Sequence, residues 1–136
     1  VSAEHGIGRL KLDEMTARDL QRSDDQWARA KGFDTFCPLG PWITTDLDVS
    51  DLSIRTTRDG ELVQDGTTAD MVHRVAALVA YASSAFTLLP GDVILTGTPA
   101  GVGPLQVGDE VSVEIEGIGR LTNPVVGRSS VGASRG

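Results

Sequence analysis

A single cysteine, Cys37, stands in 136 residues. It excludes an internal disulfide and any zinc site built on several thiolates, and it fits a reducing, cytoplasmic setting. No apolar run reaches the roughly 18 residues that a membrane-spanning helix requires, and the N-terminus lacks the basic-then-apolar layout of a secretory leader. Cations are outnumbered: 12 Lys and Arg stand against 19 Asp and Glu, a formal net charge of -7. Phosphate binding is driven by Lys and Arg, so this balance excludes a nucleic-acid groove. There is no internal repeat and no Gly-Lys-Ser/Thr phosphate-loop signature. What remains, with a hydrophobic share of 40%, is an acidic globular chain of a size that buries one core.

Glycine and proline, 16 and 6 of them, punctuate the chain into regular elements. Residues 16–30 read as a broken helix, with Thr16 as N-cap and Leu20, Trp27 and Ala28 as apolar positions. Residues 52–57 alternate apolar with polar, Arg58-Asp59-Gly60 turns, and residues 61–64 return, which predicts a hairpin. Residues 68–86 predict one long helix capped by Thr68. Its apolar stripe is Met71, Val75, Leu78, Val79 and Ala82. Val93, Ile94 and Leu95 form a short strand candidate. Residues 110–116 alternate strictly, with Val111, Val113 and Ile115 on one face, and residues 119–123 pair back across the Gly117-Ile118 turn. From Val126 the tail has no periodicity and is expected to fray. The fold class predicted is mostly β, α+β, with one long helix.

Two places in this pattern carry chemistry. The first is a polar cluster before residue 36: Glu14, Arg18, Asp19, Gln21, Asp24, Asp25 and Lys31. On a helix Glu14, Arg18 and Gln21 share a face at i, i+4 and i+7. One acid there holds a hard cation while an arginine and an amide grip a carboxylate or enolate. The same spacing describes an ordinary solvated helix face with ion pairs. The second is the run from Leu95 to Pro104, a strand entering a glycine-rich loop with Thr96 and Thr98, whose N–H groups and hydroxyls suit an anion; it also reads as a plain tight loop. Other features are blander. His73 reads as a surface or packing histidine, Cys37 as a buried loop thiol, and Trp27, Phe33, Phe36 and Trp42 as core.

Met15-Thr-Ala-Arg-Asp-Leu-Gln21, then Gln26-Trp27, Arg29-Ala-Lys-Gly-Phe-Asp-Thr-Phe-Cys-Pro-Leu-Gly-Pro-Trp42 and Pro90-Gly-Asp-Val-Ile-Leu-Thr-Gly-Thr-Pro-Ala-Gly-Val-Gly-Pro104 resemble the fumarylacetoacetate hydrolase family. The resemblance covers residues 14–125. It implies a mixed β-sandwich or roll with flanking helices, a homodimer, and a Mg²⁺ (or Mn²⁺ or Ca²⁺) ion held by three carboxylates. It also implies small 2-oxo or β-diketo acid substrates, which members hydrolyse, decarboxylate or isomerise through a metal-chelated enolate. Carried over by motif, Glu14 is a metal ligand and Arg18 and Gln21 contact substrate. Lys31 positions the substrate or a water, and Gly97 and Thr98 hold a carboxylate. Lys31, Arg18 and Gln21 are the catalytic set.

The sequence also departs from the family. Asp13-Glu14 replaces an Asn-Asp pair, and the family's upstream Glu-x-Glu metal segment is not in this chain. The expectation is an N-terminally truncated member, and the alternative reading is an inactive remnant lacking those ligands. The opening residues 1–11, with the pair Glu4-His5, resemble the C-terminal signature of FAD-linked oxidases. That implies a foreign or junction segment over residues 1–13, a family domain over 14–125 and a flexible tail over 126–136; no flavin is expected from so short a stretch.

Overall fold

A computed structural model describes residues 15–40 and 42–127. Its organising element is the hairpin anticipated around Asp59-Gly60. β1 (Ser53–Arg58) turns into β2 (Glu61–Thr67) through Asp59 at φ 51° and Gly60 at φ 83°. Two successive left-handed residues are what a type I′ turn requires, and Asp-Gly adopts them at least cost. The Asp59 carboxylate accepts from the Glu110 backbone N–H at 2.8 Å, and its own N–H donates to the Glu110 carbonyl at 2.9 Å. The turn is thereby stapled to the next strand. That strand, β3 (Glu110–Ile115), lies antiparallel on β1, and β4 (Gly119–Pro124) lies antiparallel on β3. The sheet order is β2-β1-β3-β4. A register shift between Thr56 and Thr57 bulges the β1–β2 ladder.

Val111 and Val113 bury as the alternation requires, joined by Leu52 and Ile118. Ser112, between the valines, is buried too. It is tolerated there because its hydroxyl pairs with that of Thr122 at 2.7 Å, leaving neither group unsatisfied.

The helices are shorter than predicted. α1 (Arg18–Ser23) and α2 (Ala28–Lys31) divide residues 16–30 as the broken pattern suggested. The long helix of residues 68–86 reduces to α3 (Val75–Ala85) behind a 3-10 turn at Thr68–Asp70. The reason lies in Thr68. Its hydroxyl accepts from the Leu52 N–H at 2.8 Å and its N–H donates to the Leu52 carbonyl at 3.0 Å. The residue is spent on the sheet instead of capping a helix, and Thr67 caps the 3-10 turn. The stripe is still real: Met71, Val75, Leu78, Val79 and Ala82 are the half-buried positions, while Tyr81 and Phe86 are 79% and 71% exposed.

Val93, Ile94 and Leu95 form no strand; among the described residues their backbone finds no ladder partner. Cys37 is exposed, in the loop that follows α2. Trp27 and Trp42 are 54% and 55% exposed and so are not core. Trp42 serves instead through its polar tip, donating to the Ile118 carbonyl at 2.9 Å. Phe33 is exposed as well and is not core; it packs on the half-buried Phe36, centroids 5.3 Å apart. Among the described residues no helix is long and apolar enough to cross a membrane. Residues 1–14, with Glu4, His5, Asp13 and Glu14, and residues 128–136 of the tail lie outside the described residues.

Candidate active site

The helical corner gathers three of the predicted site residues. α1 has an acid in its first turn, Asp19, and a base in its last, Arg22, each favourable to the helix dipole. It ends at Asp24, whose carboxylate receives a two-pronged hydrogen bond from Arg29 at 2.9 and 2.7 Å. That pairing holds the Asp24 carboxyl below its ordinary pKa and Arg29 above its own. It also clasps the end of α1 to α2, while the Ala17 N–H donates to the carbonyl of the fully buried Ala30 at 2.9 Å. Gly32 closes α2 where a Cβ would stand 2.6 Å from the Ala28 carbonyl oxygen, so any side chain would force the turn apart.

Within this corner the Arg18 guanidinium donates from Nη1 to the side-chain oxygen Oε1 of Gln21 at 2.6 Å. Arginine has no acceptor, so the contact fixes which way the Gln21 amide faces and leaves its NH₂ as a donor. Lys31 reaches back from α2 and donates from Nζ to the Thr16 hydroxyl at 3.3 Å. Thr16 is therefore not the helix N-cap; Ala17 occupies that place without a side-chain cap.

The glycine-rich loop is anchored separately, on β2. Gln64 donates from Nε2 to the Thr98 hydroxyl at 3.1 Å and to the Pro99 carbonyl at 2.9 Å. The hydrogen bond of Thr98 thus runs to the sheet and not to α1 or α2. Gly97 sits at φ 120° with nothing within 4 Å of a Cβ position. Gly66 lies beneath Pro99, where a Cβ would fall 2.8 Å from the proline's own. Gly101, at φ 105°, lies so close to β2 that a Cβ would collide with the Val63 carbonyl oxygen.

The structure thus brings Arg18 to Gln21 and Lys31 to the start of α1, and ties Thr98, next to Gly97, to Gln64 of the sheet. Glu14 lies outside the described residues. Among the described residues there is no group of three or more His, Cys, Asp or Glu side chains that could hold a metal ion. They do not by themselves fit the ion that the resemblance implies. Sequence reasoning missed Gln64 and the Asp24–Arg29 clasp. Gln64 was legible only as a strand residue, since its partner lies 34 positions away.

The model for the fumarylacetoacetate (FAA) hydrolase C-terminal region matches residues 6–126. The chain belongs to the fumarylacetoacetate hydrolase family. It is 59% identical over 117 residues to Protein Rv2993c of Mycobacterium tuberculosis, covering 84% of this chain and 44% of that protein. It is 47% identical over 113 residues to oxaloacetate tautomerase YcgM of Escherichia coli, covering 76% and 51% respectively. The crystal structure of 2-hydroxyhepta-2,4-diene-1,7-dioate isomerase from Mycobacterium marinum superposes with a TM-score of 0.80 at 62% identity, covering 82% of this chain and 44% of that one. The chain spans about half the length of the curated relatives it matches. As a family member it keeps the four-stranded antiparallel sheet and few helices of a small α+β domain.

Proposed function

We propose that this protein acts as an isomerase or hydrolase on a small dicarboxylic 2-oxo acid, through an enolate held by Arg18, Gln21 and Lys31. The observation that carries the reading is the Arg18–Gln21 contact at 2.6 Å. It orders a cation and an amide donor side by side on a surface-facing helix. Relatives supply the substrate class. The Escherichia coli relative is named for oxaloacetate and the Mycobacterium marinum neighbour for a 1,7-dioate carrying a 2-hydroxy-2-ene; both are small dicarboxylic acids that interconvert keto and enol forms.

The chemistry asks for donors where charge develops. When a proton leaves the carbon beside a 2-oxo group, negative charge moves to the oxygen and must be met by fixed donors. Arg18 spends one N–H on Gln21 and keeps others of its planar fork for a carboxylate. The Gln21 NH₂ faces the enolate oxygen, and the Lys31 ammonium, steadied by Thr16, positions the substrate. The Thr98 hydroxyl and Gly97 N–H hold a carboxylate. A Mg²⁺ (or Mn²⁺ or Ca²⁺) ion belongs to the same proposal, with Glu14 as its ligand on this chain and further carboxylates from outside residues 15–127; when bound it would supply Lewis-acid polarisation. A homodimer belongs to it as well, supported by the exposed Trp42, Ile43, Tyr81 and Phe86.

The test is isothermal titration with Mg²⁺ and Mn²⁺ in the presence of oxalate, an enolate mimic, beside an ultraviolet assay of oxaloacetate keto–enol interconversion. Saturable binding lost in Glu14→Ala, with turnover reduced about 100-fold in Arg18→Ala, is the expected result. A second reading, a non-catalytic family member, is favoured by the lack of a metal-holding group among the described residues. It gains the field if neither saturable binding nor turnover is found.

A further inference from the structure

We infer that Gln64 is a positioning residue that fixes the Thr98 hydroxyl as a donor toward a substrate carboxylate. The inference rests on the proposed role of the Gly97–Thr98 loop as a carboxylate subsite and adds what gives that subsite its sign.

The Pro99 carbonyl can only accept, so the Gln64 atom 2.9 Å away is the NH₂ nitrogen, which settles the amide's orientation. The same nitrogen lies 3.1 Å from the Thr98 hydroxyl oxygen. An amide nitrogen only donates, so that hydroxyl must accept, and its own proton is turned away from Gln64. Thr98 is exposed, so the proton faces outward. A hydroxyl that accepts on one side becomes a better donor on the other. It then suits an oxygen that accepts, such as a carboxylate, and disfavours a group that can only donate, such as an ammonium.

Both N–H groups of the Gln64 amide are consumed in this arrangement, which makes the side chain a two-point clamp on consecutive residues of the loop. The glycines make the clamp possible. A Cβ at Gly66 would sit 2.8 Å from the Pro99 side chain, and one at Gly101 would strike Val63 and stand 3.1 Å from the Gln64 side chain. Any larger residue at either place would lift the loop beyond hydrogen-bonding distance.

Isothermal titration of the full chain with oxalate in the presence of Mg²⁺ tests this with three variants. Gln64→Met, of the same length but without donors, and Thr98→Val should each weaken binding about tenfold. The double variant should bind no more weakly than Thr98→Val alone, because the two residues act as one unit. Gln64→Glu should be weaker than Gln64→Met, since it turns the hydroxyl proton inward and adds a negative charge. With oxaloacetate, KM should rise more than kcat falls, as expected for a residue that acts through substrate binding. Thermal midpoints of all variants check that the loss is not unfolding. If Thr98→Val weakens binding and Gln64→Met does not, or if their losses add, the role of Gln64 is overturned and the carboxylate subsite stands. If Thr98→Val has no effect, the subsite falls and Gln64's role with it. If the unaltered chain binds no oxalate, the proposed function itself fails.

Discussion

Three glycines within seven residues of one loop give a graded test of how that loop is held. Gly103 has no positive φ and nothing within 4 Å of a Cβ position. Gly103→Ala should therefore be neutral or add about 0.4–1 kcal/mol by restricting the unfolded chain. Gly97 lies at φ 120° in open space, so Gly97→Ala should lose about 1–2 kcal/mol from backbone strain alone. Gly101 combines φ 105° with a collision against the Val63 carbonyl oxygen, a backbone atom of β2 at the bulge where the ladder passes from Leu62 to Gln64. The combined cost exceeds what the two hydrogen bonds from Gln64 return, at about 1 kcal/mol each, while the Arg58 hydrogen bond to the Pro104 carbonyl holds only the loop's far end. Gly101→Ala should accordingly detach the loop rather than break the sheet, with a loss near 2 kcal/mol. Urea unfolding would give the three stabilities, and hydrogen exchange would show faster exchange confined to the loop in Gly101→Ala. Equal stabilities for Gly101→Ala and Gly103→Ala would refute the reasoning, as would exchange that spreads through β3 and β4.

Other perturbations follow from the same geometry. The Asp24 carboxyl is held below its ordinary value of 3.8 by Arg29, so the clasp contributes fully above that pH. Its contribution is lost as pH falls through the lower native value; circular dichroism on acid titration should show α1 and α2 loosening there, a transition that Asp24→Asn should remove by abolishing the clasp at every pH. Gly60 at φ 83° closes the hairpin, and Gly60→Ala should cost about 1–2 kcal/mol, read from the urea midpoint. Val113 is buried in β3, and Val113→Ala should cost about 2 kcal/mol from two lost methyl groups and the cavity they leave; a loss below about 0.5 kcal/mol would show that the sheet face is not packed.

Much of this was legible because the relevant signals are local. Asp59-Gly60 announces its turn, since few other pairs adopt two left-handed conformations. The alternation from Glu110 to Ile115 names the buried valines, and the helical spacing of Val75, Leu78, Val79 and Ala82 names the half-buried face of α3, although the helix is shorter than the pattern. What failed depends on distant partners. Thr68 looks like an N-cap by residue type, and only the position of Leu52 on the neighbouring strand decides that its hydroxyl serves the sheet. Val93, Ile94 and Leu95 look like a strand because they are apolar and β-prone, but a strand exists only where another backbone stands ready to pair with it.

The site divides along the same line. Arg18 and Gln21 are three positions apart, and helical geometry alone brings them within reach of a hydrogen bond. Lys31 and Thr16 meet because a short helical corner folds back at the Asp24–Arg29 clasp, which a sequence of mixed charges does not single out. Gln64 and Thr98 are 34 positions apart, and their pairing depends on two missing side chains, at Gly66 and Gly101, which let a loop lie flat on a strand. Glycine in a loop is read first as a source of turns. Here the glycines act by leaving room, and the hydrogen-bonding sense of the Thr98 hydroxyl follows from that room and from one amide beneath it.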